Sequence, residues 1–194
     1  MMDSKFSRYA LIVSPWVLLL GDISQITYHS NIAWTIFLAI SFLLFVGGIP
    51  AINALTQDTD PKFRLVINIF LLIGAMAGAS MQVLFRVLTI LENAKLTEAV
   101  EVLSMNPALP VSTMVPGIFF PFGLILLGIA LFLSKKYPNW KVIALLMGAV
   151  LFPIGHALGN TIALITGDLV LVVAWLVLNP EITAHQGGVA SNKA

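Results

Sequence analysis

Long apolar stretches separated by short polar joins dominate the chain, and a helix needs about 20 apolar residues to cross the hydrocarbon of a bilayer. The pattern predicts six helices, over 8–28, 32–55, 63–92, 113–134, 139–158 and 161–179. The join between the last two has two candidate positions. A turn at Thr166, Gly167 and Asp168 leaves too few residues before Asn179 and Pro180 for a span, whereas a turn at Gly159 and Asn160 leaves two spans of adequate length. The second placement puts Asp168 inside the membrane, about 10 Å below its surface at 1.5 Å per residue. The third helix has no breaker before Asn106 and Pro107, so it is expected to overrun the membrane. Beyond it, Leu96, Ala99, Val100 and Leu103 are apolar at helical spacing, with Glu98 and Glu101 opposite, as in a short helix lying over the bundle.

Polar and small residues within these spans also follow the helical repeat. Asp22, Gln25 and His29 share one face of the first helix. Gly74, Gly78, Gln82 and Arg86 form an i+4 row on the third, and Gly148, Phe152, His156 and Asn160 form one on the fifth. Small residues let helix backbones approach in a membrane, so these rows are expected to face inward. Counted from the nearest basic residue, Asp22 stands about 21 Å beyond Arg8, His156 about 22 Å beyond Lys141 and Gln82 about 27 Å beyond Arg64. One level of the bundle thus collects Asp22, Gln25, Gln82, Arg86, His156, Asn160 and Asp168, a polar pocket in the half away from the basic residues. Pro15, Pro50, Pro116, Pro121 and Pro153 are expected to interrupt helices, and no internal duplication aligns.

Composition makes the membrane reading firm. The sequence is 59% hydrophobic and 10% charged, with mean hydropathy +0.98, whereas soluble domains carry about 25% charged residues. Lys5, Arg8, Lys62, Arg64, Lys135, Lys136, Lys141 and Lys193 all fall on one side of a six-span chain, and the other side holds Lys95 among Glu92, Glu98 and Glu101. By the positive-inside rule the basic side is cytoplasmic. The expected architecture is an all-α polytopic bundle of about six transmembrane helices, both termini in the cytoplasm, in the cell (inner) membrane. Residues 1–180 form one domain and 181–194 a short polar tail. Lys5 and Arg8 ahead of an apolar run resemble a secretory leader, but the residues that follow offer no cleavage site, so a retained first span is expected.

Net charge is +1 with scattered basic residues, which argues against nucleic acid as a partner. With no cysteine, thiolate chemistry is excluded. An ionisable group at mid-membrane costs roughly 2.5–3.5 kcal/mol on insertion scales and usually marks a pathway or a binding site. The pocket therefore points to binding or translocation of a small polar solute, an ion or a proton, with Arg86 balancing the carboxylates or holding an anion and His156 relaying. Three other readings stay open. His29 and His156 could ligate a haem for electron transfer, although their levels differ by about 9 Å. A metal-dependent lipid hydrolase is a weaker fit, because neither HExxH nor GxSxG is present. The chain could also be a homo-oligomer, or a non-catalytic subunit of a larger membrane complex, in which the polar cluster is interhelical glue.

Overall fold

The computed structural model of the protein describes residues 4–28, 31–106, 108, 115 and 117–191. They form seven helices and, among the described residues, no strand: α1 (Ser4–Tyr28), α2 (Asn31–Leu55), α3 (Pro61–Asn93), α4 (Thr97–Met105), α5 (Phe119–Ser134), α6 (Asn139–Leu158) and α7 (Thr161–Ser191). Local chemistry sets several boundaries. The Asp60 carboxylate accepts from the backbone N–H groups of Lys62 and Phe63 at 2.9 and 3.1 Å, and Pro61 occupies the first helical position, where its missing N–H costs nothing. Gly159 ends α6 in the left-handed region (φ +59°), and Asn160 Oδ1 caps α7 by accepting from Ala163 N at 3.0 Å. The chain therefore turns at Gly159 and Asn160, the second of the two joins considered above.

Six helices close into a ring in the order α1, α2, α3, α5, α6, α7, with α7 returning to α1 and α2 reaching across to α7, while α4 packs on the far end of α3. Five of the six are long and apolar enough to cross a membrane; α5 is shorter, at 16 residues. Their outward faces are largely apolar, as at Leu20, Ile36, Met76, Phe132, Met147 and Val173. The polar residues Ser14, Asp22, Ser41, Gln82 and Asp168 are buried inside. Large apolar side chains outside and ionisable ones inside reverse the order that water imposes, and hydrocarbon is the solvent in which the reversed order is stable.

The ring is tight because small residues stand where helices cross. A Cβ on Gly74 would fall 2.1 Å from Phe120 N on α5, and one on Gly78 would meet the Phe42 ring at 2.7 Å. That approach seats Phe120 at the centre of an aromatic group, edge-on to Phe42 (5.2 Å), Phe45 (4.7 Å) and Phe152 (6.1 Å), each contact contributing about 0.5–1.5 kcal/mol beyond its burial. At the basic end, Lys136 pairs with Asp58 and the Tyr137 hydroxyl donates to Leu55 O at 2.8 Å. The loops after α2 and α5 thus meet at one end, together with the start of α1.

Some expectations differ in extent. Pro15, Pro50 and Pro153 lie within continuous helices, as does Pro121, which falls in the first turn of α5. Inside a bundle, neighbouring helices compensate the lost ladder bond, so a proline bends a helix without breaking it. Pro116 lies outside the described residues. Helix α3 runs for 33 residues, about 50 Å, and ends at Asn93, well before Asn106 and Pro107; Lys95 takes the left-handed conformation (φ 59°) ahead of α4. The last helix continues past Pro180 to Ser191, beyond the expected end at 179.

Gly74→Ala is expected to destabilise the protein by about 1–3 kcal/mol, the cost typical of overpacking, read as a lower melting temperature in detergent, because the obstacle is backbone. Gly117→Ala, with nothing within 4 Å of the added carbon, should leave it unchanged; equal melting of the two variants would contradict this account of the α3–α5 contact.

Candidate functional site

Each of the three ionisable groups at the far end of the ring follows a glycine in sequence: Gly21 and Asp22 on α1, Gly155 and His156 on α6, Gly167 and Asp168 on α7. The glycines are contact points. A Cβ on Gly155 would lie 2.5 Å from the backbone of Leu164, one on Gly167 2.8 Å from Phe152 N, and one on Gly21 2.6 Å from the Leu38 side chain of α2. These approaches press α6 against α7 and α1 against α2 at the level where the polar side chains project.

Asp22 is fully buried (0% exposed) and reaches two neighbours. Its Oδ1 accepts from the Trp34 indole N–H of α2 at 2.8 Å, and its Oδ2 stands 3.6 Å from His156 Nε2, just beyond hydrogen-bond contact. His156 Nδ1 lies 3.0 Å from Phe152 O. A carbonyl can only accept, so Nδ1 carries a hydrogen and donates. Nε2 then faces Asp22 either as a lone pair or as the second N–H of an imidazolium. The His156 side chain is 27% exposed, which makes it the one member of the cluster reached from outside the ring.

Asp168, also fully buried, faces the carboxyl of Asp22 within interaction range, yet neither of its oxygens has a hydrogen-bond donor. Two carboxylates present acceptor to acceptor, and a bond forms between them only when one brings a proton. The arrangement is an acid pair with an imidazole at its edge, in surroundings where like charges repel strongly.

The remaining expected pocket residues are placed differently. Gln82 is 2% exposed, with Oε1 unpartnered, on the buried face expected from the glycine row. Arg86, one turn further along α3, is half-buried and forms no ion pair with Asp22 or Asp168. Gln25 is half-buried on α1 and makes no hydrogen bond among the described residues. Asn160 is exposed, its side chain engaged as the α7 cap. His29 lies outside the described residues. Of the two haem ligands expected, only His156 is described, with its Nε2 turned toward Asp22. Among the described residues, no group of three or more His, Asp or Glu side chains could hold a metal ion.

Trp34 was not foreseen. Its ring also stacks on Phe85 of α3 at 6.2 Å, so one indole links three helices. The signal was available in the short connection between the first two spans, which brings Trp34 and Asp22 within a turn or so of one level, and in the need of a buried indole N–H for an acceptor.

No family model, curated protein or solved structure matches the chain. What the site does is therefore read from its chemistry.

Trp34→Phe removes the donor to Asp22 Oδ1 and is expected to destabilise the protein by about 1–3 kcal/mol, the cost of an unsatisfied buried acceptor. Trp16→Phe, at a half-exposed outward position, should cost far less; similar thermal shifts for both variants would show that the Asp22 contact carries no weight.

Proposed function

We propose that the chain is a six-span protein of the cell membrane, with its termini and basic loops in the cytoplasm, and that it binds and passes protons through the Asp22, His156 and Asp168 cluster. The observation that carries this reading is the buried acid pair of Asp22 and Asp168, which holds oxygens without donors next to an imidazole in register to give or take a hydrogen. A proton on Asp22 can move to His156 Nε2 and return, and the partly exposed imidazole stands between the acid pair and the outside of the ring.

Six spans are supported by the place of α5. Although it has only 16 residues, it closes the ring between α3 and α6 and buries Phe120, Leu124, Leu127 and Leu131. A membrane-crossing α5 puts Lys5, Arg8, Lys62, Arg64, Lys135, Lys136 and Lys141 on one side, the cytoplasmic side by the positive-inside rule. Protons are favoured over a polar solute because Gly155 and Gly167 draw backbones together beside the site, leaving little space for a larger ligand. Arg86 stands apart from the aspartates, which favours protons over an anion as well.

A second reading has an observation behind it. Asp22 is held by Trp34 of α2 and lies against His156 of α6, so the cluster ties three helices and would serve equally as internal glue in a subunit of a larger complex. Reconstitution in liposomes with an internal pH indicator and an imposed membrane potential separates the two. Wild type is expected to pass protons, and Asp168→Asn to slow passage by on the order of a hundredfold, the scale of losing one proton-transfer group, with little change in melting temperature. A variant that melts early, with no proton flux in wild type, would make the cluster structural. Arg86→Met is expected to retain flux; loss of flux there would restore the wider pocket expected from the sequence.

A further inference from the structure

The acid pair sits above a small internal cavity that belongs to no part of the cluster. It is lined by Ser14, Pro15 and Leu18 of α1, Ser41, Phe42 and Phe45 of α2, and by side chains of α5 and α7 that include Leu171. Leu18 is one turn from Asp22 on α1, and Leu171 is one turn from Asp168 on α7, so the cavity begins where the carboxyls end and lies toward the basic end. Ser14 is about 12 Å from Asp22 along the helix.

Two hydroxyls give this apolar chamber its chemistry. Ser14 Oγ donates to Ser41 O at 3.0 Å, Ser41 Oγ donates to Ser14 O at 2.8 Å, and the two oxygens are 3.2 Å apart. With both hydrogens committed to carbonyls, the free lone pairs of the two hydroxyls can accept from a third partner. Pro15 lacks an N–H, so the helix has one ladder bond fewer here. The cavity volume is about 10 Å³, the lower limit for one water molecule. Further toward the basic end on α1, Ser7 is fully buried, and the buried polar residues Ser7, Ser14 and Asp22 thus recur along the inner side of this helix.

We infer that the chamber between Ser14 and Ser41 is a site for a single water, one relay point of the proton route on the inward side of the Asp22 and Asp168 carboxyls. The inference rests on the proton-passing reading of the cluster. At this relay point an O–H bond forms on the water as its proton donor's bond breaks, and another water hydrogen passes on, so charge and hydrogen count are conserved. Phe42, Phe45, Phe120 and Trp175 line the rest of the chamber, so the two serines are its polar partners for a water.

The test pairs liposome proton flux with infrared detection of a protonated-carboxyl carbonyl stretch in the same reconstituted protein. In the Ser14→Ala, Ser41→Ala double variant, flux is expected to fall by on the order of tenfold or more while the carboxyl band persists, and Ser41→Thr, which keeps a hydroxyl, should retain most of the wild-type rate. Should the double variant not fold, Ser41→Ala alone, which leaves the Ser14 hydroxyl on the Ser41 carbonyl, gives the same comparison. Wild-type flux in the serine variants would overturn the water route and leave the cluster reading standing. Absence of flux in wild type would overturn both, and loss of the carboxyl band together with flux would show that the serines act on the cluster and not on a path leading from it.

Discussion

Ionisable side chains surrounded by hydrocarbon are stable only where other polar groups meet them, and this requirement organises the ring. Asp22, His156 and Asp168 come from three helices and solve the problem jointly: Trp34 supplies one hydrogen bond, the Phe152 carbonyl orients the imidazole, and the two carboxyls face each other. The solution works only at short range, which is why glycines precede all three residues. A methyl group at Gly155 would meet the Leu164 backbone and one at Gly167 the Phe152 backbone, so either would push α6 and α7 apart beside the site. The same closeness at Gly74 and Gly78 admits Phe120 and Phe42, so one packing device serves both the aromatic centre and the polar end.

The spans were legible because lipid-facing helices must be apolar along their whole length, a signal that depends on composition and not on tertiary contacts. The turn at Gly159 and Asn160 followed from span length, and the common level of Asp22 and His156 from counting 1.5 Å per residue, which the 3.6 Å separation bears out. Rotation about each helix axis was harder to read. Arg86 continues the row of Gly74, Gly78 and Gln82, yet it is half-buried and pairs with neither aspartate, so a shared face did not bring it to them. Asn160 shared the row of His156 but fell on the turn, where its amide oxygen is worth more as a cap. Trp34 escaped notice because it lies on a helix with no charged residue of its own. The prolines misled for a related reason: a broken ladder bond reads as an interruption in sequence, whereas in a packed bundle the adjacent helices absorb it.

The order of helices around the ring has one more consequence. Asp22 belongs to the first helix, and His156 and Asp168 to the last two, and these elements meet only at the seam where α7 returns to α1. The hairpins α1–α2 and α6–α7 are joined by short turns, so each can assemble from local contacts, while the seam joins residues more than 130 positions apart in the chain. Until the seam closes, Asp22 has only Trp34 for company and Asp168 has no acid facing it. Completion of the site and closure of the circle are therefore a single event in the life of the molecule, and the far ends of the chain jointly own a chemistry that neither possesses alone.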